Sequence, residues 1–220
     1  RLPRHRDVGA ADAAVASQRD SSHHPAEPHL SATEKRDSTV AGPCRRLIVN
    51  ADDFGLSAGV NAGIQDAALA GVVTSATMMV NTPGFDDAVR CAAGLGDALD
   101  VGLHFNLTTG APVAPASEVP SLVDGAGRFL PLARLLRRAL AGGVRAEDVR
   151  READAQFGRL RAAGIAPTHA DSHRHVHAFP ALSGAFAAAA TAAEVRAVRR
   201  PLEPLGARPR RAAKRIAPPR

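Results

Sequence analysis

Residues 47–64 read Leu-Ile-Val-Asn-Ala-Asp-Asp-Phe-Gly-Leu-Ser-Ala-Gly-Val-Asn-Ala-Gly-Ile. The first three form a continuous apolar run, as in a strand buried on both faces. A polar stretch from Asn50 to Gly55 follows at once. Ser57 then stands where a helix N-cap belongs. Val60, Ile64, Ala67 and Ala68 recur at helical spacing up to Gly71, a natural stop. A strand running through a polar turn into a helix is the repeating unit of α/β folds.

The alternation continues outward from this stretch. The patterning predicts further strands over 72–80, 101–107, 168–172 and 195–198. It predicts helices over 85–93, 132–141, 147–163 and 181–190. The helix over 147–163 carries Val149, Ala153, Phe157 and Leu160 on one face. Residues 108–128, with three prolines and several glycines, read as a long loop. The expected fold is α/β, with a mostly parallel sheet and its polar residues gathered at the C-terminal strand ends, where such folds place their sites.

Composition limits the function classes. The chain has 220 residues and a net charge of +6, with 47 Ala, 26 Arg, 7 Phe, and neither Trp nor Tyr. The charge is uneven: +2 over residues 1–46, −4 over 47–195 and +8 over 196–220. The basic character therefore belongs to the ends, and the aromatics that single-strand binders stack on bases are missing, so nucleic acid is not the expected partner. No apolar run is long enough for a membrane span. Residues 1–46 read as a disordered tail without the apolar core of a secretory signal. Cys44 and Cys91 read as reduced thiols, which fits a cytoplasmic location.

Three polar clusters carry the chemistry. The first is Asp52-Asp53 after the opening strand. Alone, it reads as a turn or helix start. Functionally, one carboxylate can ligate a metal while the other, turned away, acts as a base. The second is Gly102-Leu103-His104-Phe105-Asn106, where His104 alone reads as a hydrogen-bonded core residue. The third is His169-Ala170-Asp171-Ser172-His173-Arg174-His175-Val176-His177. If extended, it would point His169, Asp171, His173, His175 and His177 to one side. Burying five such groups without function would be costly. Asp, His and His from three strand ends make up a catalytic divalent-metal site with open positions.

The segments LIVNADDFGLSAGVNAGI, GVVTSATMMVN, VGLHFNLTTGAPV and PTHADSHRHVHAFP, in this order from about Leu47 to Pro204, resemble the YdjC-like carbohydrate deacetylases. The resemblance implies a distorted β/α barrel of the polysaccharide-deacetylase type. It also implies a metal-dependent hydrolase that removes acetyl groups from N-acetylated amino sugars or oligosaccharides. Asp53, His104 and His173 would be the metal ligands and Asp52 the catalytic base. Asp171, His175, His177, Asn106 and Arg199 would support the ligands or contact substrate. The implied ion is magnesium, with zinc as the alternative, and the implied partners are a small N-acetylated sugar and a second copy in a homodimer.

Five strands are fewer than a barrel needs, so the expected domain, 47–204, would be a barrel incomplete at its C-terminus. Residues 205–220 would be a basic Arg/Pro/Ala tail or a truncated barrel helix. The competing readings are an inactive metal-binding remnant and a different metal hydrolase, a phosphoesterase or amidohydrolase. The latter more often opens with His-x-His at the first strand end than with Asp-Asp. Without Trp or Tyr, Phe54, Phe105 and Phe179 are the aromatics expected beside the metal.

Overall fold

A computed structural model describes residues 47–201. The tail expected over 1–46, with Cys44, and the basic stretch 205–220 lie outside the described residues. The ordered part alternates strand and helix: β1 (Asn50–Phe54), α1 (Ala58–Leu69), β2 (Ser75–Met78), α2 (Phe85–Leu95) and β3 (Asp100–Phe105). After the long loop come α3 (Leu132–Leu140), α4 (Ala146–Ala162), β4 (His169–Ser172), α5 (Pro180–Ala192) and β5 (Ala197–Val198).

The five strands form one parallel sheet in the order β1-β2-β3-β4-β5. The sheet is not closed: among the described residues β1 and β5 are its two edges. No described helix is long and apolar enough to cross a membrane.

The first strand differs from the sequence expectation. It begins at Asn50, not Leu47, and Leu47 and Ile48 are 83 % and 75 % exposed. The apolar run leads into an edge strand, where nothing among the described residues covers its second face. Val72, at the expected start of the second strand, lies in the turn after α1, before β2 begins, and is exposed.

The core lies between the sheet and its helices. Val149, Ala153, Phe157 and Leu160 of α4 are all buried, as their spacing predicts. Phe186 of α5 stacks on Phe105 of β3 at 5.0 Å between ring centres and on Phe157 at 6.4 Å. Such pairs add specific geometry to simple burial. Phe54 and Phe105 are completely enclosed, so neither can offer a stacking face to a sugar. Phe179 is only partly buried.

The turn after β1 is fixed from inside. Buried Asn61 of α1 accepts from the Gly55 N–H at 2.7 Å and donates to Gly84 O and Asp87 Oδ2, each at 2.9 Å. Gly55 has φ +95°, and a Cβ there would fall 2.6 Å from Met79 O, so only glycine fits.

The long loop is held by the polar face of α4. Gln156 accepts from Asn106 N–H at 3.1 Å and donates to Asn106 O at 2.7 Å. One turn back, Glu152 accepts from Val113 N–H and Ala114 N–H, both at 2.9 Å. A further turn back, Asp148 accepts from Ser121 N–H at 2.9 Å. All three side chains are fully buried.

Candidate metal centre

A bulge delivers the two adjacent carboxylates to one place. The β1–β2 register shifts between Ala51 and Phe54, and Asp53 has φ +61°. A strand alternates its side chains, so one left-handed residue in a bulge is what re-aims a neighbour. The expectation that one carboxylate turns away therefore fails: Asp52 and Asp53 both meet residues of the central strands.

Asp53 Oδ1 lies 3.0 Å from His104 Nε2 and 2.7 Å from His173 Nδ1. These three residues form one group whose ligand atoms all lie within 4.8 Å of one another. One oxygen and two imidazole nitrogens are a usual donor set for a catalytic divalent cation. Ligands about 2.1 Å from one octahedral ion stand about 3 Å apart when adjacent, which the two separations from Asp53 match. The His173 side chain is 15 % exposed, while His104 is enclosed.

His104 is oriented from behind. Its Nδ1 is 2.6 Å from Asp171 Oδ1 and 3.0 Å from Thr77 Oγ1. Burial pulls its pKa down, but the hydrogen bonds it donates to Asp171 and Asp53 outweigh it and raise the pKa to about 9. The hydrogen bond from His104, helped by the charge of His173 and opposed by burial, lowers Asp53 to about 2.

Asp52 lies beside this group and forms a second cluster with His104 and Asp171. Arg199 Nη1 meets Asp52 Oδ2 at 2.8 Å, and Nη2 meets Oδ1 at 2.8 Å, a bidentate fork. Nη1 is also 2.7 Å from Asp171 Oδ2, an ionic contact outside hydrogen-bond alignment. Asn50 Nδ2 donates to Asp52 Oδ1 at 2.8 Å. Burial pushes Asp52 up, but the hydrogen bonds and charge of Arg199 prevail and hold it below the ordinary carboxylate value.

The supporting residues proposed from sequence separate into two groups. Asp171 and Arg199 join the cluster directly. Asn106 does not: it is fully buried, and its amide is spent on Asn81 Oδ1, Thr109 O and the N–H groups of Thr108 and Thr109. His177 is turned away. Its Nε2 donates to Arg199 O at 2.8 Å, and its Nδ1 faces Ser172 Oγ. Burial lowers its pKa, so it is a neutral brace between β4 and the chain after β5.

The extended His run is also corrected. The strand ends at Ser172, and His173–Ala178 turns helically with Arg174 and His175 both left-handed, at φ +57° and +53°. The alternation holds only for His169, Asp171 and the entry to His173. Both Arg174 and His175 end up exposed. Thr77, Asn50 and Ser75 join the site beside His169, which the alternating run already named. The signal for Asn50, Ser75 and Thr77 was the polar alternation Asn50/Asp52 and Ser75/Thr77 on two short strands.

The sequence is that of a known group of proteins. The family model described as YdjC-like protein matches residues 46–219. The chain belongs to the YdjC-like family. A carbohydrate deacetylase of Brevibacillus brevis is 53 % identical over 137 residues, covering 62 % of this chain and 52 % of that protein. The human carbohydrate deacetylase is 42 % identical over 166 residues, 74 % of this chain and 51 % of its own length. A chitooligosaccharide deacetylase of Yersinia pestis is 45 % identical over 135 residues, 61 % of this chain and 51 % of that one. This YdjC-like chain thus spans about half the length of the curated relatives it matches. Among solved structures, a protein of Enterococcus faecalis titled a putative cellobiose-phosphate cleavage protein aligns with a TM-score of 0.62 and 37 % identity. That alignment covers 68 % of this chain and 57 % of the other.

Proposed function

We propose that this chain carries the reaction centre of a divalent-metal-dependent hydrolase that removes acetyl groups from N-acetylated amino sugars or their oligosaccharides. The observation that carries the proposal is the group Asp53, His104 and His173, with Asp52 beside it and ionised. Relatives named carbohydrate deacetylase and chitooligosaccharide deacetylase supply the substrate class. In this reading the open sheet belongs to a β/α barrel.

Asp53, His104 and His173 would hold the ion, magnesium in the first instance, with zinc competing because two of the three donors are imidazoles. When bound, a divalent cation supplies Lewis-acid polarisation of the amide carbonyl and charge stabilisation for the developing oxyanion. The remaining work belongs to the chain. Asp52 takes a proton from the attacking water as its oxygen bonds to the acyl carbon. Arg199 and Asn50 hold the Asp52 carboxylate ionised and fixed in direction. As the C–N bond breaks, the proton on Asp52 passes to the leaving amine, and the free amino sugar separates from acetic acid, which releases its proton to solvent as acetate.

The test is acetate release from short chito-oligosaccharides with magnesium, zinc or cobalt added to the 220-residue chain. Release abolished in Asp52→Ala while metal binding persists supports the assignment. Metal binding lost in His173→Ala, without acetate release by the parent chain, supports the inactive remnant instead. Absence of metal binding in the parent chain defeats both.

A further inference from the structure

On the inner face of the sheet, below the carboxylates and outside the ligand set, His169 begins β4 and reaches across two strands. Its Nε2 is 3.1 Å from Asn50 Oδ1 on β1 and 3.0 Å from Ser75 Oγ on β2, and its Nδ1 is 2.8 Å from Thr168 Oγ1. Ser75 Oγ donates to the same Asn50 oxygen at 2.7 Å. Asn50 then donates through Nδ2 to Asp52 Oδ1 at 2.8 Å.

The ring can cross β3 only because Gly102 has no side chain. A Cβ there would fall 2.7 and 2.8 Å from two carbons of the His169 ring and collide with its backbone oxygen. Asp52 accepts from Asn50 Nδ2, which turns Oδ1 toward His169, so Nε2 carries the proton and Nδ1 faces the Thr168 hydroxyl, which is shared with Val101 O at 3.5 Å. Burial lowers the pKa of His169, consistent with that neutral form.

An asparagine amide can turn over, and the wrong orientation would aim its oxygen at Asp52. The Asp52 carboxylate only accepts and so keeps Nδ2 toward itself, while His169 and Ser75 hold the amide oxygen at the other end. We infer that His169 is a positioning residue that acts through Asn50 to fix the direction of the Asp52 carboxylate. Its kinetic consequence rests on the proposed deacetylase reading; the structural coupling does not.

The experiment compares His169→Ala, His169→Gln, Asn50→Ala and the double variant of His169→Ala with Asn50→Ala in the 220-residue chain. The carboxyl ¹³C resonance of Asp52 reads the coupling directly. It should move in His169→Ala and in Asn50→Ala, and the double variant should match Asn50→Ala alone. Glutamine places an N–H near the position of Nε2 and should restore the parent resonance.

With N-acetylated chito-oligosaccharide as substrate, His169→Ala should lower kcat about 10- to 100-fold, leaving KM and metal affinity unchanged. Independent, multiplying losses in the double variant would overturn the inference, as would an unmoved Asp52 resonance in a folded His169→Ala chain. If the parent chain releases no acetate, the deacetylase reading fails and the Asp52 resonance alone decides the coupling.

Discussion

His104 Nδ1 and Asp171 Oδ1 lie 2.6 Å apart, with both side chains almost completely enclosed. The carboxylate behind the ring fixes its rotation and its tautomer, which leaves Nε2 facing Asp53. Such carboxylate–histidine pairs raise the basicity of the ligand and typically control metal affinity 10- to 100-fold. Asp171→Asn, which keeps shape but removes charge, should weaken metal binding by about that factor. Competition against a chelator of known affinity checks this, and an unchanged affinity would remove Asp171 from the site's support.

The same histidine sets the pH dependence. Without an ion, His104 titrates at about 9, above its ordinary 6.5. A raised folded-state value means that His104 stabilises the fold fully below 6.5 and that this contribution is lost as pH rises through about 9. The thermal midpoint of the metal-free protein should therefore fall between those values, while that of the metal-loaded protein should stay level. A metal must also displace the Nε2 proton, so apparent affinity should climb by up to about tenfold per pH unit until near 9. Titration calorimetry in buffers of different ionisation enthalpy would count the proton released.

The Arg199–Asp52 fork makes a kinetic prediction. Arg199 holds Asp52 below the ordinary carboxylate value, so the base stays ionised into mildly acidic solution. In Arg199→Gln the acid limb of kcat should move to higher pH. Lysine should restore it only in part, because its ammonium keeps the charge but cannot reproduce two parallel hydrogen bonds. A pH–rate profile that keeps its acid limb in place would show that another group governs it.

How far the sequence revealed this site depends on which force dominated locally. Helices α2, α4 and α5 were legible within one or two residues, because their apolar spacing and their buried faces coincide. The ligands Asp53, His104 and His173 were legible as types at strand ends. Their geometry was not, because it depends on a left-handed Asp53 in a bulge, which no periodicity announces. Leu47–Val49 misled because apolar character marks a strand but does not reveal that it lies at an edge. The His run misled because alternation was extended past Ser172 into a segment that turns helically. Asn106 looked like a substrate group because a polar residue at a strand end can face either a ligand or its own loop. Here the loop and Asn81 have claimed all its hydrogen-bonding capacity.

The final prediction concerns the loop that flanks the site. Asp148, Glu152 and Gln156 stand on successive turns of α4 and hold the loop at Ser121, at Val113 and Ala114, and at Asn106, two residues after His104. Burial raises the pKa of Glu152 against the hydrogen bonds it accepts from Gln156, Val113 and Ala114. Glu152→Ala leaves two backbone N–H groups without partners, that of Ala114 buried, at about 1–3 kcal/mol, and that of Val113 partly buried, at less. Glu152→Gln keeps the size but turns an amide N–H toward one of those donors, so it should rescue only part of the loss. Denaturant unfolding should show that order of stability, parent above Gln above Ala. Hydrogen exchange should speed up first at Val113 and Ala114. If exchange there is unchanged in Glu152→Ala, the loop is held by its apolar contacts, Val119 and Leu122 among them, and not by the α4 carboxylate.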